Sequence, residues 1–222
     1  MRICLSILFF SISCSLFSQS DVKVVDSLFR EDQFYLSISY NFIQKKPDNF
    51  SQYSFSTGFT GGFLRDMPIS KNRHWSIALG AGYSYNNLKQ NIEISTVSPN
   101  SSVSNSGIVR SRIILHYLEL PLELRWRNAS PSSHKFWRIH TGFKVSYLLD
   151  GNLKYESEIL GDGNENIKDI VNRLQYGLYL SFGFNTWNPY MYYALNPIFD
   201  KNKTATVNEI SSLNIGLKFY IL

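Results

Sequence analysis

From Gln33 to the C-terminus the chain alternates apolar and polar residues with a period of two, the spacing at which neighbouring side chains of a β-strand point to opposite faces. Eight segments carry the pattern. The first, Gln33 to Phe42, sets Phe34, Leu36 and Ile38 against Tyr35, Ser37 and Ser39; the second, Tyr53 to Phe63, sets Phe55, Phe59 and Phe63 against Ser54, Ser56 and Gly58. The third, Arg73 to Tyr85, opposes Trp75, Ile77 and Leu79 to Ser76, Ala78 and Gly80. In the fourth, Val109 to Trp126, Leu118, Leu120, Leu122 and Leu124 face away from Tyr117, Glu119, Pro121, Glu123 and Arg125. The fifth, Phe136 to Leu149, opposes Trp137, Ile139 and Phe143 to Arg138, His140 and Lys144, and the sixth, Arg173 to Phe184, opposes Leu178, Leu180 and Phe182 to Gly177, Tyr179 and Ser181. The seventh, Pro189 to Leu195, is ambiguous in parity. The eighth, Ser211 to Leu222, sets Ile215, Leu217 and Phe219 against Gly216, Lys218 and Tyr220.

These segments match the 9 to 11 or so residues that a tilted strand needs to cross a bilayer. One face is small, hydroxylated or charged, and the other carries aliphatic residues with aromatics toward its ends. Lipid outside and packed polar side chains inside produce that distribution, whereas a soluble sandwich would bury the greasy face. The connectors agree. Entry from the periplasm puts outer loops at 43–52, 86–108, 150–172 and 196–210 and inner turns at 64–72, 127–135 and 185–188. Every long connector then falls on one side, the asymmetry of outer-membrane barrels. The expected fold is all-β, an eight-stranded antiparallel transmembrane up-and-down β-barrel spanning 33–222. Closure follows from lipid, because an open sheet edge would leave backbone groups unpaired in hydrocarbon.

The N-terminus supports an exported chain. Met1-Arg2 leads into an uncharged run, Ile3 to Phe17, broken by Cys4, Ser6, Ser11, Ser13, Cys14 and Ser15 and closing in Ser18-Gln19-Ser20. A membrane-spanning helix needs about 20 strongly apolar residues, so the run reads as a signal peptide over 1–18, cleaved after Ser18 or Ser20. Cleavage removes both cysteines and with them any disulfide or thiol chemistry. A lipidated Cys14 is the rival reading, weakened by Ser11 and by the apolar Leu16-Phe17 beyond it. Residues 19–32 form a periplasmic lead-in in which Val24, Val25, Leu28 and Phe29 suit a turn or two of helix, or a disordered tail. No periplasmic anchoring domain is expected after the last strand. The formal charge of +5 is spread over scattered Lys and Arg residues, without the basic stripe a nucleic-acid partner requires.

Several groups invite a chemical reading. Glu119, Glu123, Arg125, Arg138, His140 and Lys144 share the inward face of two adjacent strands. They could form a proton relay or polar site, or an ion-pair network that fills the lumen, and the second is expected because eight strands leave no aqueous channel. His116 lies on the outward face near the external rim, without a serine and carboxylate in register on the third and fifth segments, so it reads as an interfacial histidine. Gly161 to Asn166 resembles a calcium loop, but Ile167 stands where the loop needs Gly and Arg173 where it needs Glu, so a flexible outer loop is expected. Pro121 cannot donate to a strand ladder, and a bulge or a water is expected at its rung. Neither cofactor nor metal is expected.

His116-Tyr117-Leu118-Glu119-Leu120-Pro121-Leu122-Glu123-Leu124 resembles the YLEIPL strand of the PorT family of outer-membrane β-barrel domains, with Leu120 for the common Ile. Tyr117, Leu118, Glu119, Leu120, Pro121 and Leu122 carry the resemblance, while Glu123 is more acidic than the family pattern and Arg125 stands near a position often held by Lys. The resemblance implies an integral outer-membrane barrel. The family's named member is associated with type IX secretion and gliding, and any such role here rests on analogy. The expected protein is a monomer in outer-membrane lipid. It acts without catalysis through the loops Asn86–Gly107 and Asp150–Asn172, or as an accessory to other envelope or secretion proteins. A lipid-modifying barrel enzyme and a narrow pore are the alternatives.

Overall fold

The computed structural model describes residues 32–46, 52, 54–90, 108–128, 137–158, 161–184, 186–204, 207 and 209–221, with the side chains of 108 and 109 also left aside. Of the signal peptide and lead-in expected over 1–32, only Asp32 falls within them. The strands are β1 (Gln33–Gln44), β2 (Thr57–Pro68), β3 (Trp75–Gln90), β4 (Ile108–Arg127), β5 (Trp137–Ser157), β6 (Gly163–Asn166), β7 (Leu174–Phe184), β8 (Asn188–Ala194) and β9 (Ser211–Ile221). All pairings are antiparallel and join neighbours in the chain, except that β5 pairs with β7 beyond the short β6, which is appended to the far end of β5, and that β1 pairs with β9. The other eight strands therefore close into a barrel with no free edge at the level of the membrane.

The alternation sorts the faces as the sequence predicts. Phe34, Leu36, Leu120, Leu122, Leu178, Phe182 and Ile215 stand exposed on the wall, while Tyr35, Ser37, Glu123, Lys144, Tyr179, Ser181 and Lys218 are buried inside. β8 resolves the one ambiguous segment: Asn188, Tyr190, Tyr192 and Ala194 point inward, and Pro189, Met191 and Tyr193 outward.

Strand limits depart from the sequence reading in two ways: β2 begins at Thr57 and not at the expected Tyr53, and several strands extend past their expected ends. The periodic core of each strand was legible, but the strands run past the membrane. β2 continues through Asp66 to Pro68 and β4 to Arg127, into the expected inner turns, and β3 and β5 reach Gln90 and Ser157, into the expected outer loops. A ladder extends as long as its backbone groups find partners, whatever solvent the side chains meet. The inner turn 69–74 is tight, with the Ile69 N–H donating to Trp75 O at 2.9 Å and Arg73 in the left-handed region at φ 59°.

The outer connectors are also more ordered than expected. Gly163–Asn166, within the expected flexible loop, pairs with Asn152 to Tyr155. Beyond it Ile167, Val171, Ile198, Phe199, Val207 and Ile210 fold down onto Leu88, Ile113, Leu115 and Leu148, sealing the outer mouth with an apolar plug. This part of the interior is a small hydrophobic core, which a polar-lumen expectation does not contain.

Pro121 corrects one half of a further expectation, the bulge. No register shift occurs at its rung; instead β3–β4 pairing lacks the rungs Gly80–Pro121 and Ala81–Leu120, the two that would use a Pro121 N–H. Its missing donor therefore faces β3, and pairing with β5 is continuous there, Pro121 opposite Lys144. The bulge lies higher, between His116 and Tyr117, where Leu149 is the extra residue on β5. It leaves Leu148 fully buried and Leu149 42% exposed, and thereby sets the parity of the rest of β5.

Candidate functional site

The polar lumen is built from charges that the alternation forces inward, and each can remain there only with a counter-charge and hydrogen bonds. All six sequence-picked residues, Glu119, Glu123, Arg125, Arg138, His140 and Lys144, are buried. They divide into layers along the barrel axis. Nearest the inner turns, Asp66 takes Arg127 Nη1 at 2.9 Å and Arg125 Nη1 at 3.3 Å and accepts the Ser76 hydroxyl at 2.7 Å. The Arg127 Nε–H reaches the Arg73 carbonyl at 2.9 Å, so the inner turn is fastened to this layer.

Above it Glu123 is the hub. Its Oε2 accepts from Arg125 Nε at 2.7 Å, and its Oε1 accepts from Lys218 Nζ at 2.7 Å and from the Tyr179 hydroxyl at 2.9 Å. His140 Nδ1 lies 3.9 Å from Oε2 and 3.0 Å from the Tyr220 hydroxyl. Lys218 Nζ sits among the rings of Tyr35, Tyr179, Tyr220 and Tyr190, at 4.4, 4.9, 5.1 and 5.7 Å from their centroids, an aromatic enclosure that supplements its one carboxylate. Room for it comes from glycine: a Cβ on Gly142 would lie 2.6 Å from the Tyr179 ring and from the Leu122 carbonyl. The third layer is Glu119, whose Oε1 accepts from Lys144 Nζ at 2.8 Å, with the Tyr192 ring 4.3 Å from that nitrogen.

Between this layer and the plug lies a cavity of about 40 Å³ bordered by Asn41, Asn86, Ser146, Gln175, Tyr192 and Asn214. A space of this size has room for a few waters.

The sequence reading missed Asp66 and Arg127, which it left in turns, and Lys218 with its tyrosines, which it placed on the inward face without linking them to Glu123. The signal for Lys218 was present in the parity of the last strand. What joined it to Glu123, 95 positions earlier, is barrel closure. The Glu119–Lys144 pair makes a direct test of whether these charges act as a network. Glu119→Ala should destabilise the folded barrel more than Glu119→Ala with Lys144→Met, since the single change strands a buried ammonium. Denaturant unfolding in lipid vesicles measures both, and simply additive losses would count against pairing.

His116 faces outward beside Tyr83, whose hydroxyl shares a hydrogen bond with His116 Nδ1, and its ring meets Tyr85 edge-on at 5.3 Å. The expectation that no carboxylate stands in register needs correcting, because the bulge brings Asp150 opposite His116. Asp150 is occupied by Asn152 Nδ2 at 2.7 Å and Asn166 Nδ2 at 3.3 Å, and the residues hydrogen-bonded or stacked on His116 are tyrosines rather than a serine.

The chain matches the family described as outer membrane protein beta-barrel domain over residues 17–200. Among solved structures it is similar to Ail, the attachment invasion locus protein of Yersinia pestis, at 12% identity, covering 86% of this chain and 99% of that one with a TM-score of 0.37. A mutant of the Rh. blastica porin shows 8% identity over 87% of this chain and 100% of that one, with a TM-score of 0.16. No curated protein matches.

Proposed function

Since the chain belongs to the outer membrane protein beta-barrel domain family, an integral outer-membrane barrel in kind, we propose that it works there without catalysis and without conduction, presenting its outer end to a partner. The observation that carries this reading is the filled lumen. Three layers of paired charge and an apolar plug occupy the described interior from the inner turns to the outer mouth, and what they leave for action is the outer surface. That surface is a fixed platform. β3, β4 and β5 stand above the wall with β6 added to their edge, and rigid scaffolds of this kind hold recognition loops in place.

Within that reading, the strand Tyr117 to Leu122 supports a PorT-type barrel serving an envelope machine. Its residues are all engaged by the barrel: Leu118, Leu120 and Leu122 meet lipid, Glu119 holds Lys144, and Pro121 interrupts the ladder. The motif thus specifies a wall and its filling, and a role in secretion or gliding rests on analogy.

The folded barrel should be electrically silent in a planar bilayer. From native envelopes it should capture proteins that a variant with residues 91–107 replaced by a short Gly-Ser turn does not. Unitary conductance steps would overturn the non-conducting reading, and identical capture by both proteins would overturn the outer-surface reading.

A further inference from the structure

Cross-strand register aligns three cations on the outward face of the strand extensions. Lys89 on β3 stands opposite Arg112 on β4, and Arg112 stands opposite Lys154 on β5. Adjacent strands lie about 4.8 Å apart, so the row is on the order of 10 Å wide. Like charges directly opposite one another oppose pairing, and a sheet normally avoids them or supplies an acid between them. Among the described residues none of the three side-chain charges has an ion pair or a hydrogen bond, and Ser56 Oγ engages only the backbone N–H of Lys89, at 2.9 Å. Lys89, Arg112 and Lys154 also border a hollow of about 480 Å³ together with Arg110, Tyr155, Glu156 and Asp162. Of the acids nearby, Asp150 accepts from Asn152 and Asn166, while Glu156, opposite Arg110 in the ladder, and Asp162 border the same hollow as the row without an ion pair to any of its three cations among the described residues.

The height of the row says what it meets. Tyr83, Tyr85, His116 and Tyr147 form an aromatic girdle on the same three strands, with Tyr83 and Tyr147 exposed. Such girdles mark the boundary between hydrocarbon and headgroups. Arg112 lies four residues beyond His116 along a strand rising about 3.3 Å per residue at a tilt of about 40°, which puts the row roughly 10 Å above that girdle. Long basic stems flex by several ångströms toward the membrane surface, bringing all three heads to headgroup level.

We propose that Lys89, Arg112 and Lys154 form a binding row for phosphate-bearing lipid headgroups of the outer leaflet. The lipid anion supplies the direct ion pair that Glu156 and Asp162 do not make with these cations, and the guanidinium of Arg112, flanked by two ammonium groups, takes phosphate oxygens in bidentate fashion. Bound headgroups would fix the height and orientation of the platform on which the proposed recognition depends, yet the row binds lipid whether or not that function is right.

The test uses the full barrel purified from mixed micelles of phosphatidylcholine with a minority of lipid A, the retained lipid A being quantified against phosphatidylcholine. The unaltered protein should enrich lipid A, and enrichment should fall about fivefold for each of Lys89→Gln, Arg112→Gln and Lys154→Gln. Lys89→Arg with Lys154→Arg should retain it. In pure phosphatidylcholine the triple Gln variant should unfold at the same or a higher temperature than the parent, because repulsion has been removed, and this separates lost binding from lost folding. Equal enrichment by parent and triple variant, equal retention of dephosphorylated lipid A, or a triple variant less stable in phosphatidylcholine would each overturn the proposal. Full competition by inorganic phosphate at matched concentration would overturn the lipid as the source of the anion.

Discussion

Glu123→Gln should lower the unfolding free energy of the barrel by about 3 to 5 kcal/mol, the cost of removing one member of a buried charged cluster. The carboxylate is fully buried and holds both Arg125 and Lys218 at 2.7 Å. An amide accepts at one atom only, so one cation is stranded. Arg125 would keep Asp66 at 3.3 Å, but Lys218 would be left with tyrosine rings, which do not neutralise it. Glu123→Gln combined with Lys218→Met should therefore recover part of the loss. Guanidinium unfolding in vesicles measures both variants, and a single-variant loss under about 1 kcal/mol would show that the cluster is not held by this hub.

Leu178→Arg should cost about 2 to 4 kcal/mol, the value for a basic residue on the lipid face at mid-depth. Leu178 lies near the middle of β7 and is 51% exposed on the wall, where hydrocarbon is its only solvent. Ser181, three residues on and buried inside, is the matched control: Ser181→Ala removes one hydroxyl and should cost about 1 kcal/mol or less. Equal effects in vesicle refolding would mean that the two faces are exchanged.

Particular residues show how far the sequence could be read. Phe34 and Tyr35, or Leu122 and Glu123, are adjacent in the chain and opposite in fate, and the period of two sorts them without any knowledge of neighbours. The same rule placed all six candidate network residues inside. It could not place Asp66 or Arg127, because nothing in a short polar stretch says whether a ladder has already ended. It set Leu149 correctly on the wall but was blind to the bulge there, since a bulge is an agreement between two strands and is absent from either one alone.

Ion pairing lies at the far end of that scale. Glu119 and Lys144 sit on adjoining strands, and their pairing could be anticipated from parity. Arg125 and Asp66 are 59 positions apart, and their meeting depends on the stagger of β2, β3 and β4.

By itself the sequence determined the fold class, the strand rhythm and the face that each residue of the wall presents, because these follow from backbone geometry and from which solvent each side chain tolerates. Only the tertiary structure decided which charge meets which, how loops that look polar bury Ile167, Val171 and Phe199 in the outer mouth, and that Lys89, Arg112 and Lys154 stand in one row. Closure and register are collective properties of eight strands, and each strand's own pattern is compatible with several staggers until the others fix it.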